Sequence, residues 1–142
     1  MTSFTSRYGN PAADYAGAHI WAHCRHSTTV VTIAGRVDTA NHTDLTDHIT
    51  RFITAGTPLV LDLSGVTAFA APAVELIDTV AHRCAAAGVD WALVPGKAVS
   101  RALLGGDPAI PVVASTAEAE HTVDDAIQRR RRMLLPLMRK TA

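Results

Sequence analysis

Side chains capable of acid–base chemistry occur in this sequence, but none stands in a catalytic pattern. Asp62 is a carboxylate inside the otherwise apolar run 58–64. A general acid or base must lie within hydrogen-bond reach of the group it serves, and no histidine, serine or second acid is spaced around Asp62 as in a known catalytic motif. We therefore predict a structural role for Asp62 near the end of a strand. No catalytic residue is identified, and we expect no enzymatic activity.

Two hydroxyl residues follow this carboxylate, at Ser64 and Thr67. Serine in a turn commonly bonds to nearby backbone, and this is the role expected for Ser64 at the end of the strand. Phosphorylation of Ser64 or Thr67 is the alternative that the sequence leaves open.

The seven histidines are not spaced as metal ligands. His19 and His23 fall on one face of a predicted strand and His26 on the other, because side chains alternate along a strand. His42 and His48 lie six residues apart on a predicted helix, which separates them by more than one turn. We expect no metal ion and no other cofactor.

The two cysteines, Cys24 and Cys84, are too few for a disulfide scaffold and are not spaced as zinc ligands. Each falls on a face predicted to be buried, which is the usual position of a free cysteine. A redox pairing of the two is the alternative, and it requires their Cα atoms to lie within about 7 Å of each other.

Charge is unevenly distributed along the 142 residues, although 13 Lys and Arg balance 13 Asp and Glu. Residues 1–128 carry 7 positive and 13 negative charges, a net of −6, whereas residues 129–142 carry 6 positive charges and no negative one. The acidic balance of the larger part excludes a wholly basic nucleic-acid-binding domain, and we expect no nucleic-acid partner. The apolar fraction of 48% suits a single globular domain.

The basic tail, residues 129–142, interleaves arginine with leucine and methionine. Such interleaving is typical of contact with an anionic membrane, a nucleic acid or an acidic partner. The alternative, which we favour from the sequence, is a solvated end of the last helix that breaks before Pro136 and whose apolar residues pack back on the domain.

We expect the protein to be cytoplasmic. Its N-terminus lacks the basic start and apolar run of a signal peptide. No stretch reaches the 18 or so uninterrupted apolar residues that a membrane-spanning helix requires.

Apolar periodicity predicts a loose arm over residues 1–17, followed by elements in the order β-β-α-β-α-β-α-β-α. The predicted strands cover 19–25, 28–37, 58–64, 91–94 and 110–114. The predicted helices begin at Asn41 as N-cap, at Pro72, near Lys97, and at either Ser115 or Thr122. This order implies an α/β fold, with a mixed sheet of about five strands and four helices.

Four segments in this order resemble the STAS domain family, whose best-known members are bacterial anti-sigma factor antagonists. The most specific is Leu-Val-Leu-Asp-Leu-Ser-Gly-Val-Thr-Ala-Phe at 59–69, which is similar to the third strand of the family and the loop after it. The segments 31–38, 93–104 and 122–127 are similar to the second strand, to the fourth strand with its helix, and to the start of the last helix. The resemblance covers residues 18–130.

The resemblance implies a regulatory function without catalysis. In the antagonist subfamily, an Asp-Ser-Ser/Thr-Gly signature precedes the second helix, and a kinase-like anti-sigma factor phosphorylates its second hydroxyl residue. The corresponding positions here read Ala-Ala-Pro-Ala at 70–73, and Pro72 stands at the phosphoacceptor position. Since proline has no hydroxyl group, we expect partner binding that does not depend on phosphorylation. The alternative is a degenerate loop that has lost its role.

The resemblance also implies a binding surface on the loop and helix after the third strand. The expected contacts are Phe69, Ala70, Ala71, Pro72, Ala73, Val74, Glu75, Asp78 and Lys97. The expected partner is an anti-sigma factor with a kinase-like ATPase domain, and a homodimer is left open. The alternative function is a STAS scaffold or an accessory subunit of a transport or membrane system, with a small ligand. We place the STAS domain at 18–128, between the arm 1–17 and the basic tail.

Overall fold

The computed structural model describes the backbone of residues 4–5, 11–103 and 110–140, and the side chains of residues 12–103 and 110–133. The strands are β1 Phe4–Thr5, β2 Pro11–Tyr15, β3 Ala18–Arg25, β4 Thr28–Val37, β5 Leu59–Phe69 and β6 Trp91–Val94. The helices are α1 His42–Thr50, α2 Val74–Ala87, α3 Gly96–Ala102 and α4 Thr116–Lys140, and a 3-10 turn at Ala71–Ala73 precedes α2.

The strands form one mixed sheet in the order β1-β2-β3-β4-β5-β6. Pairing is antiparallel from β1 to β4 and parallel from β4 to β6. The predicted hairpin of β3 and β4 is confirmed. Its two turn residues, His26 and Ser27, have φ values of 52° and 67°, as in the two-residue turns that match the twist of antiparallel strands. The α/β fold with a mixed sheet is therefore confirmed.

The N-terminal part differs from the prediction, because Pro11–Tyr15 is a strand rather than part of a loose arm. It pairs with β3, and Ala13 lies opposite Ile20. Ala12 and Ala13 are buried. Small side chains with low β propensity gave no strand signal in the sequence. Residues 16 and 17 form the turn between β2 and β3, and residues 1–3 and 6–10 of the predicted arm lie outside the described residues.

The strand predicted at 110–114 is also wrong. Only one bridge forms there, between Leu93 and Val112, and Val112 is half exposed. Pro111 has no N–H to donate to a ladder, which limits strand pairing at this position.

Helices cover the sheet on both faces and enclose two cores. Leu59, Leu61 and Leu63 of β5 belong to the larger core, to which α1, α2 and α3 contribute. Val60 belongs to the smaller core beneath α4, with Val123. This alternation follows from the two-residue period of a strand. Within the described residues, α4 therefore forms the second layer of helix.

Cysteine positions agree with the prediction only in part. Cys84 is buried on α2, but Cys24 is exposed, so its predicted place on a buried face is wrong. Cys24 lies next to the last residue of β3, beyond Ala22, the last residue of that strand in the larger core.

Asn41 precedes α1 as predicted, but its side chain does not cap that helix. Its Oδ1 accepts a hydrogen bond from the backbone N–H of Asp38 at 2.9 Å. Its Nδ2 donates to the carbonyl oxygens of Arg36 at 2.8 Å and Tyr15 at 3.0 Å. Asn41 is 1% exposed, and it ties the ends of β2 and β4 to the start of α1.

Helix α4 begins beside Ser115, which is the first of the two predicted starts. Oγ of Ser115 accepts a hydrogen bond from the N–H of Glu118 at 3.2 Å, and Oε2 of Glu118 accepts one from the N–H of Ala114 at 3.2 Å. The helix continues to Lys140, so the predicted break before Pro136 is wrong. Proline removes one backbone hydrogen bond and can bend a helix without ending it.

Candidate partner-binding site

The loop after β5 is held in place by backbone hydrogen bonds on both of its sides. Phe69 at the end of β5 lies opposite Val37 at the end of β4. The N–H of Ala70 donates to the carbonyl oxygen of Val37 at 2.9 Å, and the N–H of Ala73 donates to that of Ala70 at 2.9 Å. The second bond closes the 3-10 turn, and this turn leads directly into α2.

Pro72 lies in the first turn of this helical segment and is exposed. This confirms the prediction that Pro72 opens the helix, since a first-turn residue has no helical acceptor for its N–H. No side chain caps either the 3-10 turn or α2. The position that resembles the phosphoacceptor is therefore an exposed pyrrolidine ring at a helix start.

The structure brings most of the predicted contacts to one surface but differs at one residue. Ala71, Glu75 and Asp78 are exposed with Pro72. Phe69, Ala70 and Val74 are half-buried. Ala73 is fully buried in the larger core, so its prediction as a contact is wrong. The 3-10 turn, with three residues per turn, directs Ala73 to the interior while its neighbours stay outside.

Lys97 lies at the same end of the sheet, but in a separate groove. It is exposed at the start of α3 and lines a groove whose other residues come from Pro95 just before α3, from α3 and α4, and from the chain between these two helices. The groove is lined by Pro95, Gly96, Lys97, Ser100, Arg101, Val112, Val113, Ala114 and Glu118. No residue of the 69–78 surface belongs to that lining.

Four carboxylates give this end of the molecule an acidic character. Helices α1 and α2 pack together, and each starts at the carboxyl end of one of two neighbouring parallel strands. Asp44 and Asp47 of α1 are therefore on the same layer as Glu75 and Asp78 of α2, and all four are exposed. None of them forms an ion pair within the described residues. The sequence did not indicate the two acids of α1, because only the packing places them there.

Comparison with known proteins decides the family, because the family model for the STAS domain matches residues 19–119. The chain belongs to the STAS domain family. The match begins in β3 and ends in the first turn of α4, so β2 and most of α4 lie outside it.

One relative is similar to this STAS protein in sequence, and one solved structure is similar to it in fold. Osmosensory protein A from Mycobacterium tuberculosis (strain ATCC 25618 / H37Rv) is 41% identical over 146 residues, which cover 99% of this chain and 92% of that protein. The crystal structure of an anti-sigma factor antagonist from Mycobacterium paratuberculosis has a TM-score of 0.67 and 21% identity. The aligned region covers 75% of this chain and 94% of the antagonist chain, and the similarity is one of fold.

Asp62 of the STAS signature segment has a structural role, as the sequence predicts, but within a strand rather than near its end, because β5 continues to Phe69. Its Oδ1 accepts hydrogen bonds from the backbone N–H of Ser64 at 3.0 Å and from the Ser64 hydroxyl at 2.6 Å. The predicted bond from the Ser64 hydroxyl to backbone is therefore wrong, because the nearer carboxylate takes it. The Thr67 hydroxyl donates to the carbonyl oxygen of Gly35 at 3.2 Å.

A buried histidine in this STAS domain escaped the sequence reasoning. His48 of α1 is 3% exposed, and its Nδ1 is hydrogen bonded to the Tyr15 hydroxyl at 2.9 Å. Burial lowers the pKa of His48, and the positive charge of Arg51 lowers it further. The only signal in the sequence was the spacing of His48 with Leu45 and Ile49, which places all three on one helical face.

Among the residues that the structure describes, no three His, Cys, Asp or Glu side chains lie together as a metal site would require. No helix described there is long and apolar enough to cross a bilayer.

Proposed function

We propose that this protein is a non-enzymatic regulator that binds an anti-sigma factor, and that the loop–helix surface makes the contact. This surface is Phe69, Ala70, Ala71, Pro72, Val74, Glu75 and Asp78. The observation that carries the proposal is that Pro72 is exposed at the start of a helical segment whose entry is fixed by backbone hydrogen bonds. The fold shared with an anti-sigma factor antagonist supports it.

The charge of the surface indicates what kind of partner face would fit. Glu75 and Asp78 are exposed and have no ion-pair partner within the described residues, and Asp44 and Asp47 extend the negative potential. A partner face with lysine or arginine would be attracted to it and oriented by it. The apolar part, from Ala71 to Val74, would supply the contact area that excludes water.

The same surface would bind without a phosphorylation switch. A phosphate at a helix start is stabilised by unpaired N–H groups and adds about −1.5 to −2 charge to a docking face. Pro72 cannot carry that group. Binding would then be controlled by the amount of protein rather than by kinase activity, and Lys97, in its own groove, would contribute only at the rim of the contact.

The test is affinity capture from the native cell with the full chain as bait. Glu75→Lys/Asp78→Lys reverses two charges on the surface, and Asp124→Lys/Asp125→Lys reverses two charges on α4 as the matched control. We expect an anti-sigma factor to be captured by the wild type and the control but lost with the surface variant. Addition of ATP should leave capture unchanged, and Ala70→Asp/Pro72→Ser, which restores the acid and the phosphoacceptor at their positions in the signature, should make it sensitive to ATP.

Two results would contradict this proposal. One is capture of a transporter component instead, which would favour the scaffold or accessory role in a transport system. The other is a loss of capture on adding ATP, with phosphate found on the wild-type chain.

The identity with osmosensory protein A supports a second proposal, that the protein works in a response to osmotic change. The relatedness extends over 99% of this chain, including the parts outside the STAS match. Deletion of the gene should then alter transcription after an increase in external NaCl. An unchanged transcriptional response in the deletion strain would remove the proposal.

A further inference from the structure

Helix α4 packs on the sheet through a small apolar contact. Among its described side chains, only Ala119 and Val123 are buried, and Ile127 packs at the margin of the same core. The sheet contributes four small side chains to this core, at Val30, Val60, Ala92 and Val94. Helix α2, in contrast, buries four side chains in the larger core. Since hydrophobic stabilisation scales with the apolar area removed from water, the apolar contact holds α4 less firmly than it holds α2.

A cleft of about 780 Å³ lies along one flank of α4. The helix lines this cleft from Ala117 to Arg131, and the facing side is formed by residues 26–28, 56–58 and 88–90. These three segments come directly before the strands β4, β5 and β6 or begin them. Solvent and dissolved ions therefore have access to this flank of the helix over about four turns.

Two ion pairs connect α4 to the rest of the domain. Arg130 pairs with Asp90, the residue directly before β6, and Glu120 pairs with Arg25, the last residue of β3. Within the described residues, these are the ion pairs that join α4 to another part of the chain. The side chains of Arg130 and Arg25 are 53% and 60% exposed, so dissolved salt can screen both pairs.

The carboxylate of Glu120 is incompletely satisfied while α4 is packed. Its Oε1 is buried and has no hydrogen-bond partner within the described residues, and Nε of Arg25 lies 3.5 Å away. A buried acceptor without a hydrogen bond raises the free energy of the packed state. Water would satisfy this oxygen once the helix moved off the sheet. The Coulomb attraction of the two ion pairs therefore has a cost to offset as long as the helix stays packed.

We propose that α4 is an ionic-strength-sensitive layer, which separates from the sheet more often as the salt concentration rises. The Debye length falls from about 10 Å at 0.1 M salt to about 3 Å at 1 M, so the attraction across both ion pairs weakens over this range. Exposed ion pairs are weak singly, and the response would be graded rather than all-or-none. Separation would uncover the sheet face at Val30, Val60 and Val94, which the packed helix covers.

This device deepens the proposal of a response to osmotic change and rests on it for its role in the cell. Water that leaves a cell after an increase in external NaCl concentrates the ions inside it. The two ion pairs of α4 would register that concentration directly, without a bound ligand.

Amide hydrogen exchange of the full purified chain at constant pH, followed by mass spectrometry, tests the proposal. From about 0.05 M to about 0.5 M NaCl, exchange of amides 119–127 in α4 should accelerate about threefold or more. Amides 59–63 of the central strand β5 should keep their rate and serve as the internal reference. Sorbitol at the same osmolality should not accelerate exchange in α4, because an excluded solute favours the compact state and does not screen charge.

Variants of the ion pair between Asp90 and Arg130 assign the effect to charge. Asp90→Asn should accelerate exchange in α4 at low salt and flatten the response to NaCl. Asp90→Arg should have a larger effect, and Asp90→Arg/Arg130→Asp should recover slow exchange together with its salt dependence, because the swap rebuilds the pair. The matched control is Asp125→Asn, since Asp125 is exposed and pairs with His121 on the same helix. It should leave the salt response unchanged.

Exchange in α4 that is unchanged by NaCl would overturn the proposal. So would an equal acceleration in β5, which would indicate unfolding of the whole domain, or an equal acceleration by sorbitol, which would indicate a response to water activity. A swapped chain that exchanges as fast as Asp90→Arg would also overturn it. Exchange is measured on the purified chain, whereas the osmotic proposal is tested by transcription in the deletion strain, so the two proposals can fail separately.

Discussion

The hydroxyl of Tyr15 and Nδ1 of His48 are hydrogen bonded at 2.9 Å, which joins strand β2 to helix α1 across 33 residues of sequence. Their rings meet edge to face with centroids 5.7 Å apart. Nε2 of the same imidazole is buried and has no hydrogen-bond partner within the described residues. The Tyr15 hydroxyl is thus the partner of Nδ1 alone.

Replacement of Tyr15 by phenylalanine should lower the free energy of unfolding by about 1–3 kcal/mol, because it leaves Nδ1 of His48 buried and unpaired. Urea denaturation monitored by circular dichroism measures this change. Ser100→Ala removes an exposed hydroxyl from α3 and should change stability by less than about 0.5 kcal/mol. Equal effects of the two substitutions would contradict the role of the Tyr15 bond.

Stability should fall as the pH falls below about 6.5, because the pKa of His48 is lower in the folded chain than in the unfolded one. In that window the unfolded state binds the proton and the folded state does not. Each pH unit can then cost at most about 1.4 kcal/mol. Denaturation curves between pH 7.5 and about 5 measure the slope. This slope should be smaller in His48→Phe.

Gly96→Ala should destabilise the domain more than Gly88→Ala. Both glycines have left-handed φ values, 69° and 67°, so both substitutions carry a backbone strain of about 1–2 kcal/mol. Only at Gly96 does a Cβ also collide, at 2.7 Å from Cα of Ser64, whereas nothing lies within 4 Å at Gly88. The difference in urea midpoint between the two variants measures the destabilisation caused by the clash of the new Cβ in α3 with the backbone of β5. A larger loss at Gly88 would refute this packing.

Thiol labelling should distinguish the two cysteines. Cys24 is exposed, whereas Cys84 is buried and its pKa is raised to about 11 by desolvation. Since the thiolate is the reactive form, one thiol should react with Ellman's reagent at pH 8 in the native protein and two in urea. Cys24→Ser should abolish native labelling. Peroxide treatment should produce no bond between the two, and a faster band on a non-reducing gel would restore the redox alternative.

The parts of the fold that were predictable are those with strong local signals. The hairpin of β3 and β4 follows from period-two alternation, and the end of α2 follows from Gly88 in the left-handed conformation. Strand β2 had no such signal, because Pro11, Ala12 and Ala13 become a strand only through their register with β3.

The same distinction applies to the candidate site. Pro72 could be located from its helix-starting chemistry, and Glu75 and Asp78 from their place on an exposed helix turn. Ala73 was predicted as a contact, but the 3-10 turn directs it to the interior while Ala71 and Pro72 stay exposed. Asp44 and the buried His48 both belong to α1. Only tertiary packing places Asp44 on the same layer as the acids of α2 and brings His48 to Tyr15.

Because of the buried amide of Asn41, the cooperative folding unit includes residues that precede the start of the family match. The match starts at residue 19, yet Asn41 donates to the carbonyl oxygen of Tyr15 ahead of that point. A chain trimmed to the matched residues would keep the amide and lose an acceptor. Amide hydrogens of β2 and of the first turn of α1 should then exchange with solvent in one opening event, and truncations for crystallography or domain grafting should begin before Pro11.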